Sequence, residues 1–453
     1  MLFLKDFFRA HKNTRIKLDT LHIFVYFWIM KCKAPITFLF ILLSFSCKDD
    51  TEITPPEPEV ILTDNVLVYE SEKIHDHLSL LVKNGSLTSL LVDKQGNTLY
   101  EWNFETNLGN DFELLPDGKS IGMFKRSDPV VNFGGYGGVV KIFDEAGTEA
   151  WSYDYVNGND IGHHDVEMLP NGNVIFLVWE EIDAAEVQAA GVDFTLNVYA
   201  ETLIEVNPIT NQVEWEWHSW DHIIQNYDSN APNYGSISDN PQRININYNI
   251  NPNGDFMHAN GLSYDAAKDV VYISVNYFSE VWAVDHSTTI NEASSNSGGS
   301  YNKGGDLLYR FGNPMAYNNS SGTRTFYNNH FPNLLKNGVP GAGNMLIYGN
   351  SGPDGLQQST VYEMRLPEPY SLLPNTNNEP TTVWSFTDEE LYFGKISGTD
   401  RLGNGNTLIC EGDFGMWEVT PNGDVVWKYE SEANSWRAYG YEFGSTAVEY
   451  LGL

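Results

Sequence analysis

The stretch MWEVTPNGDVVWKY, Met416–Tyr429, reads as two short strands joined by a Pro-Asn-Gly-Asp turn, the second closing on Trp427 and Tyr429. β-Branched and aromatic residues suit a pleated, half-buried surface, and Asn-Gly supplies the positive-φ residue a tight reversal needs. The same unit recurs as LLVDKQGNTLYEW (Leu90–Trp102), VVKIFDEAGTEAWSY (Val139–Tyr153) and LIEVNPITNQVEWEW (Leu203–Trp217). With insertions it recurs over Val281–Pro314 and Val361–Phe386, which makes six copies.

Between these copies lies a second unit, a polar residue placed five before a leucine and eight before a glycine, followed by a short apolar strand. It starts at Asn110, His164, His330 and Ser397, and in a looser form at His258. Self-similar strand pairs with regular turns and no long helical period predict an all-β fold, and six four-stranded blades around an axis fit best. Trp102, Trp151, Trp215 and Trp427 are then expected to pack blades together. In a propeller the innermost strands line the channel, so the polar residues that open the second unit are expected to converge near one mouth.

The composition agrees. The chain has 453 residues with 13% aromatic and 19% charged side chains, including 12 Trp, 25 Tyr and 24 Phe, so a sizeable core is expected. Its formal net charge is −34, a field that repels phosphate backbones, and nucleic acid is excluded as a partner.

The N-terminus is read separately. Phe38–Phe45 is a short apolar run behind Lys31 and Lys33 and just before Cys47, the shape of a secretory signal and too short to span a bilayer. Met1 and Met30 are both candidate starts. Ser44-Phe45-Ser46-Cys47 resembles a relaxed bacterial lipoprotein box, so residues 1–47 are expected to be a leader with Cys47 acylated, an ordinary cleaved signal or retained anchor being the alternative. Residues 48–60, acidic and Pro-rich, read as a tether. This places the protein outside the cytoplasm, lipid-anchored at the outer membrane, cell surface or periplasm of a Gram-negative bacterium, with no other membrane contact. Removing residues 1–47 leaves 19 basic and 58 acidic residues, a net −39, and Cys410 as the remaining thiol, which is expected in the core.

Three imidazoles, His164, His258 and His330, open inner strands, with His163 beside the first. Three imidazoles suit zinc, but neighbouring carboxylates such as Asp165 lack a recognised ligand spacing, so no metal is predicted. Metalloprotease, phosphate-loop, nucleophile-elbow and CxxC patterns are absent from the sequence, and no cofactor is predicted.

The stretches WEWHSWDHIIQNYD, GDFMHANGLSYD, SVNYFSEVWAVDHST, GGDLLYRFGNP and SGTDRLGNGNTLICEG together resemble the bacterial aryl-sulfate sulfotransferases, over roughly residues 85 to 440. The resemblance implies a six-bladed propeller over 86–453 with a small N-terminal β domain at 61–85. It also implies transfer of a sulfuryl group from a phenolic sulfate ester to a phenol through a sulfated histidine, in ping-pong fashion and without a nucleotide donor. On this reading His330 is the nucleophile, and His258 protonates the leaving phenolate or steadies the sulfuryl oxygens. His164 or His163 makes a third contact, and Asn260 in the His258-Ala259-Asn260 motif binds substrate. Where some members carry a sulfuryl-binding arginine, this chain has Asn276; Arg310, Arg324 and Arg401 are candidate substitutes, with Arg310 taken as substrate-binding.

The competing reading is a catalytically lapsed propeller that binds a sulfated or phenolic ligand or a surface partner. A quinone-dependent dehydrogenase propeller fits less well, because eight tryptophan-docking repeats are missing. Whether the protein is a homodimer is left open. The insertions at 291–303, 317–324 and 367–380 are expected to shape the substrate mouth.

Overall fold

Every copy of the strand–turn–strand unit becomes the third and fourth strands of an antiparallel sheet, and the polar-slot units become the first and second. Six such sheets surround the axis. Their inner strands are Ser435–Tyr441 in blade 1, Leu108–Leu114 in blade 2 and Ile161–Met168 in blade 3. Ala259–Asp265, Tyr327–Leu334 and Gly398–Arg401 are the inner strands of blades 4, 5 and 6. The computed structural model describes residues 60–453, which fall within one compact unit. The expected leader at 1–47 with Cys47, and the tether up to residue 59, lie outside the described residues.

The ring is closed by both ends of the described chain. Ser435–Tyr441 pairs with Leu78–Lys83, Leu80 facing Tyr439, so blade 1 takes its inner strand from the C-terminal segment and the rest from the N-terminal one. Val66–Tyr69 adds a fifth, outermost strand to blade 6, with Tyr69 opposite Trp427. Residues 61–85, expected as a β region of their own, are therefore built into two blades. Four to six residues per strand bury too little apolar surface to stand alone, and the edges of blades 1 and 6 offer them partners.

Tryptophan stitches the blades. On four outer strands the indole Nε1 donates to the turn of the next blade: Trp151 to Asn211, Trp215 to Thr288, Trp384 to the Pro421 carbonyl and Trp427 to the Lys94 carbonyl, at 2.8 to 3.0 Å. Trp102 is buried in the core between blades 1 and 2, and Cys410 is wholly buried.

Each blade alternates direction, so all inner strands start at one face and the turns after the first and third strands lie at the other. The insertion at 317–324 precedes an inner strand and sits on the histidine face. Those at 291–303 and 367–380 follow third strands, which run away from that face, so they do not shape the histidine mouth as expected.

Candidate active site

Inner strands start with a defect. The pairing register slips between Leu108 and Phe112, across His163–Val166, between Ala259 and Gly261, and between His330 and Asn333. At three of the five slots the backbone is left-handed, with φ of 55° at His164, 52° at His258 and 84° at Ser397, while in blade 5 it is Phe331, beside His330, that takes φ of 53°. Left-handed backbone costs of order 1 kcal/mol for a residue with a Cβ. A bulge re-aims its side chain out of the strand's alternation, here onto the axis. The polar slots seen in the sequence thus sit on irregular backbone, left-handed at His164, His258 and Ser397.

The histidines meet. His163 and His164 touch through their Nδ1 atoms at 2.7 Å, and the His164 and His258 rings lie edge to face at 4.9 Å. His163 stacks on Trp179 at 3.9 Å, with its Nε2 3.0 Å from the Glu201 carboxylate. Trp436 spans the group, 5.6 Å from the His164 ring and 6.1 Å from that of His330. Asn110 and His164 share the Gly135 carbonyl, at 2.6 and 2.9 Å.

Two imidazoles are held in opposite states. His330 Nδ1 is 2.6 Å from Asn350 Oδ1, and the Asn350 amide nitrogen donates to the carbonyls of Phe393 and Ile396 at 2.9 and 2.8 Å. Those two bonds fix the amide so that its oxygen faces His330 and must accept. His330 Nδ1 therefore carries the proton, and Nε2 keeps its lone pair. Burial pushes His330 down to about 3, with the charges of His258 and Arg437 acting the same way, so the ring is neutral at working pH. His258 Nδ1 instead bonds Asp255 Oδ2 at 2.5 Å, and its ring stacks on Tyr277 at 4.7 Å. Burial disfavours its charge, but the Asp255 carboxylate, aided by Glu201, more than reverses this and raises the imidazole above its ordinary value. His163 and His164 are held well below theirs by burial and by the charge of His258.

The asparagines secure the strand of His330. Asn260, Asn276 and Ser274 all donate to the Asn329 carbonyl, at 2.8, 3.1 and 3.2 Å, and Asn276 Oδ1 accepts from Asn328. Arg310 is not with them. It is wholly buried against Glu280 inside blade 4 and donates to the carbonyls of Pro241 and Arg243. Arg401 pairs with Glu363 at 2.7 Å, and Arg324 bonds Ser279 at 2.9 Å.

A cation near the histidines is Arg437, which the sequence reading passed over together with Asn350, Asp255 and Trp436; a second cation, Lys336, faces Glu113, Glu167 and Asp400 of the inner strands. The Arg437 guanidinium grips Asp165 at 2.8 and 2.9 Å, reaches Asp111 at 3.3 Å and lies 3.8 Å over the Phe331 ring. Its signal was weak because the unit that holds it is split between the two ends of the described chain. Among the described residues no group of three or more His, Cys, Asp or Glu side chains is arranged to hold a metal ion.

None of the curated proteins matches this sequence. A Bacteroides caccae protein of unknown function superposes with a TM-score of 0.47 at 12% identity, over 81% of this chain and 99% of that one. The β-propeller domain of a Myceliophteria thermophila protein gives 0.42 at 9% identity, over 84% of this chain and 94% of that one. Such distant likenesses say nothing about chemistry. A family model described as Arylsulfotransferase (ASST) matches residues 63–439, from the strand added to blade 6 to the one that carries Arg437. The chain belongs to the arylsulfotransferase family.

Proposed function

We propose that the protein moves a sulfuryl group between phenols in two steps, with His330 as the covalent carrier. In the first step the His330 Nε2 lone pair forms an N–S bond, the S–O bond to the donor aryl group breaks, and the phenolate takes the Nε2 proton of His258. In the second, neutral His258 removes the proton of an acceptor phenol, whose oxygen attacks sulfur and releases His330. Atoms and charge balance without a nucleotide, metal or redox partner. A neutral imidazole is a competent nucleophile, and a covalent intermediate divides one hard transfer into two.

The observation that carries this reading is the paired tuning of the two rings: burial keeps His330 neutral and Asn350 directs its lone pair to Nε2, while Asp255 keeps His258 protonable. General acid–base assistance of this kind contributes about 10²–10⁴-fold. His164 and the charge of His258 are the groups available to the sulfuryl oxygens. The net charge of −34 opposes long-range approach of an anionic ester, but screening within about 8 Å at physiological salt leaves capture to the local site.

The test uses the chain without residues 1–47, 4-nitrophenyl sulfate, and phenol as acceptor. Nitrophenolate release that depends on phenol and disappears in His330→Ala supports the proposal. The lapsed-propeller reading has its own support in the commitment of Arg437 to Asp165 and of Asn260 and Asn276 to Asn329. It prevails if wild type binds an aryl sulfate without turning it over. We further propose export and lipid anchoring through Cys47, supported by the leader sequence; a diacylglycerol-modified Cys47 in the mass spectrum of the membrane fraction is the check.

A further inference from the structure

On the face opposite the histidines, the insertions after the third strands of blades 4 and 5 meet around an open-sided cavity of about 380 Å³. Lys268, Tyr301, Lys303, Leu308 and the run Pro367-Glu368-Pro369 with Tyr370 line it, so one carboxylate stands in the wall beside two lysines. Lys268 lies in the turn that ends the inner strand Ala259–Asp265, which starts beside His258. Seven strand residues at roughly 3.3 Å each set the cavity on the order of 20 Å from the histidines. It is a separate place.

Its walls suit a flat ring. Tyr301 and Tyr370 lie 5.9 Å apart, inclined at 47°, with the proline and leucine side chains completing an apolar surround. The Tyr370 ring is held in place by a hydroxyl–hydroxyl bond to the buried Tyr272 at 2.5 Å. Tyr301 is tied to the Lys268 carbonyl at 3.0 Å. These are firm aromatic walls rather than loose loop side chains.

Its charge suits an anion. Lys268 is neutralised by Glu368 at 2.7 Å and Asp265 at 3.4 Å. Lys303 is half-buried at the same cavity, and among the described residues no carboxylate stands within ion-pair distance of it. Burial lowers its ammonium below the ordinary range, with only the more distant Asp306 opposing the shift. Lys303 thus brings an unpaired, partly desolvated cation to the cavity wall in a chain with 60 acidic and 26 basic residues. A ligand anion would restore the balance.

We propose that this cavity is a second small-molecule site, one that takes a one- or two-ring aromatic anion, with its ring against Tyr301 and Tyr370 and its charge on Lys303. The volume is in the range of small-ligand sites. The inference is independent of whether His330 carries a sulfuryl group.

The probe is 2-naphthalenesulfonate, whose carbon–sulfur bond gives no leaving phenol. Calorimetric titration is expected to show it binding wild type and His330→Ala equally, with Lys303→Gln and Tyr370→Leu each weaker by about tenfold. Neutral 2-naphthalenemethanol is expected to bind about tenfold more weakly than the sulfonate, and 2-naphthoate to separate a general anion preference from one for sulfur oxyanions. Soaked crystals should show the ring packed against the two tyrosines in the cavity. The proposal fails if wild type gives no binding or if the sulfonate is found only among the histidines. It also fails if a Lys303→Gln variant with unchanged circular dichroism binds within about twofold of wild type.

Discussion

Arg437 and Asp165, 272 residues apart in the chain, join in a bidentate pair at 2.8 and 2.9 Å beneath the histidines. The same guanidinium reaches Asp111 of blade 2 and the Asn260 carbonyl of blade 4 and stacks on Phe331 of blade 5. With its own blade 1 and Asp165 of blade 3, it ties five inner strands to one charge.

Removing one member of this pair leaves a buried, unbalanced ion. Arg437→Met is expected to lower the free energy of unfolding by about 3–5 kcal/mol. Adding Asp165→Leu should restore part of that loss, the remainder being the backbone N–H groups of Val166 and Leu262 that Asp165 accepts. Urea titration of the three variants decides the matter; a double variant no better than the single one would contradict the pairing.

The proposed nucleophile depends on Asn350. Asn350→Asp keeps an acceptor on His330 Nδ1 but places a negative charge beside it, which raises the imidazole from about 3. The expected result is a new acid limb in the kcat/KM profile, because His330 then becomes protonated within the measurable range. A simple loss of structure would lower activity at all pH values and create no limb.

For the wild type, the pH profile should have one limb. His330 stays neutral, while activity is expected to fall as pH rises through the elevated value of His258, the proton donor of the proposed mechanism. Asp255→Asn removes the carboxylate that holds this value up, and should move the limb to lower pH with little change in KM. Steady-state rates with 4-nitrophenyl sulfate from pH 5 to 9 would reveal it.

Stability should also rise on mild acidification. Burial raises Glu167 and Glu379 to about 8, above the unfolded carboxyl value of 4.5, so the folded chain holds protons there that the unfolded chain has released. Stability then falls as pH climbs from about 4.5 towards 8. His258, raised above 6.5, adds to the decline at the upper end of that window. The lowered His163, His164 and His330 work against acid stability below 6.5, so the gain is sought between pH 8.5 and 6.5. Calorimetric Tm values over that range test it, and Glu167→Gln with Glu379→Gln should flatten the slope.

The blades were legible because each carries its own turn. Asp144 Oδ1 accepts from Ala146 and Thr148, Asp93 Oδ1 accepts from Asn97, and Gly96, Gly147 and Gly423 take positive φ, so local chemistry marks every reversal. The histidines were legible because a polar residue recurs at a fixed place before a leucine and a glycine. Arg437 was not, since the strand after its own is Leu78–Lys83, more than 350 residues earlier, and no leucine–glycine spacing follows it. Asn350 ends the second strand of blade 5, outside the slot, leucine and glycine positions that mark the repeat, and Asp255 lies in the loop before blade 4. What they do depends on contacts across strands, which residue order does not display.

Closure through the final strand has a consequence for synthesis. A growing chain displays His164, His258 and His330 long before it displays Trp436 and Arg437, so nothing that needs the whole group can work until Ser435–Tyr441 has emerged. A copy cut short before Ser435 therefore keeps His163, His164, His258 and His330 and lacks the cation that joins the inner strands they stand on.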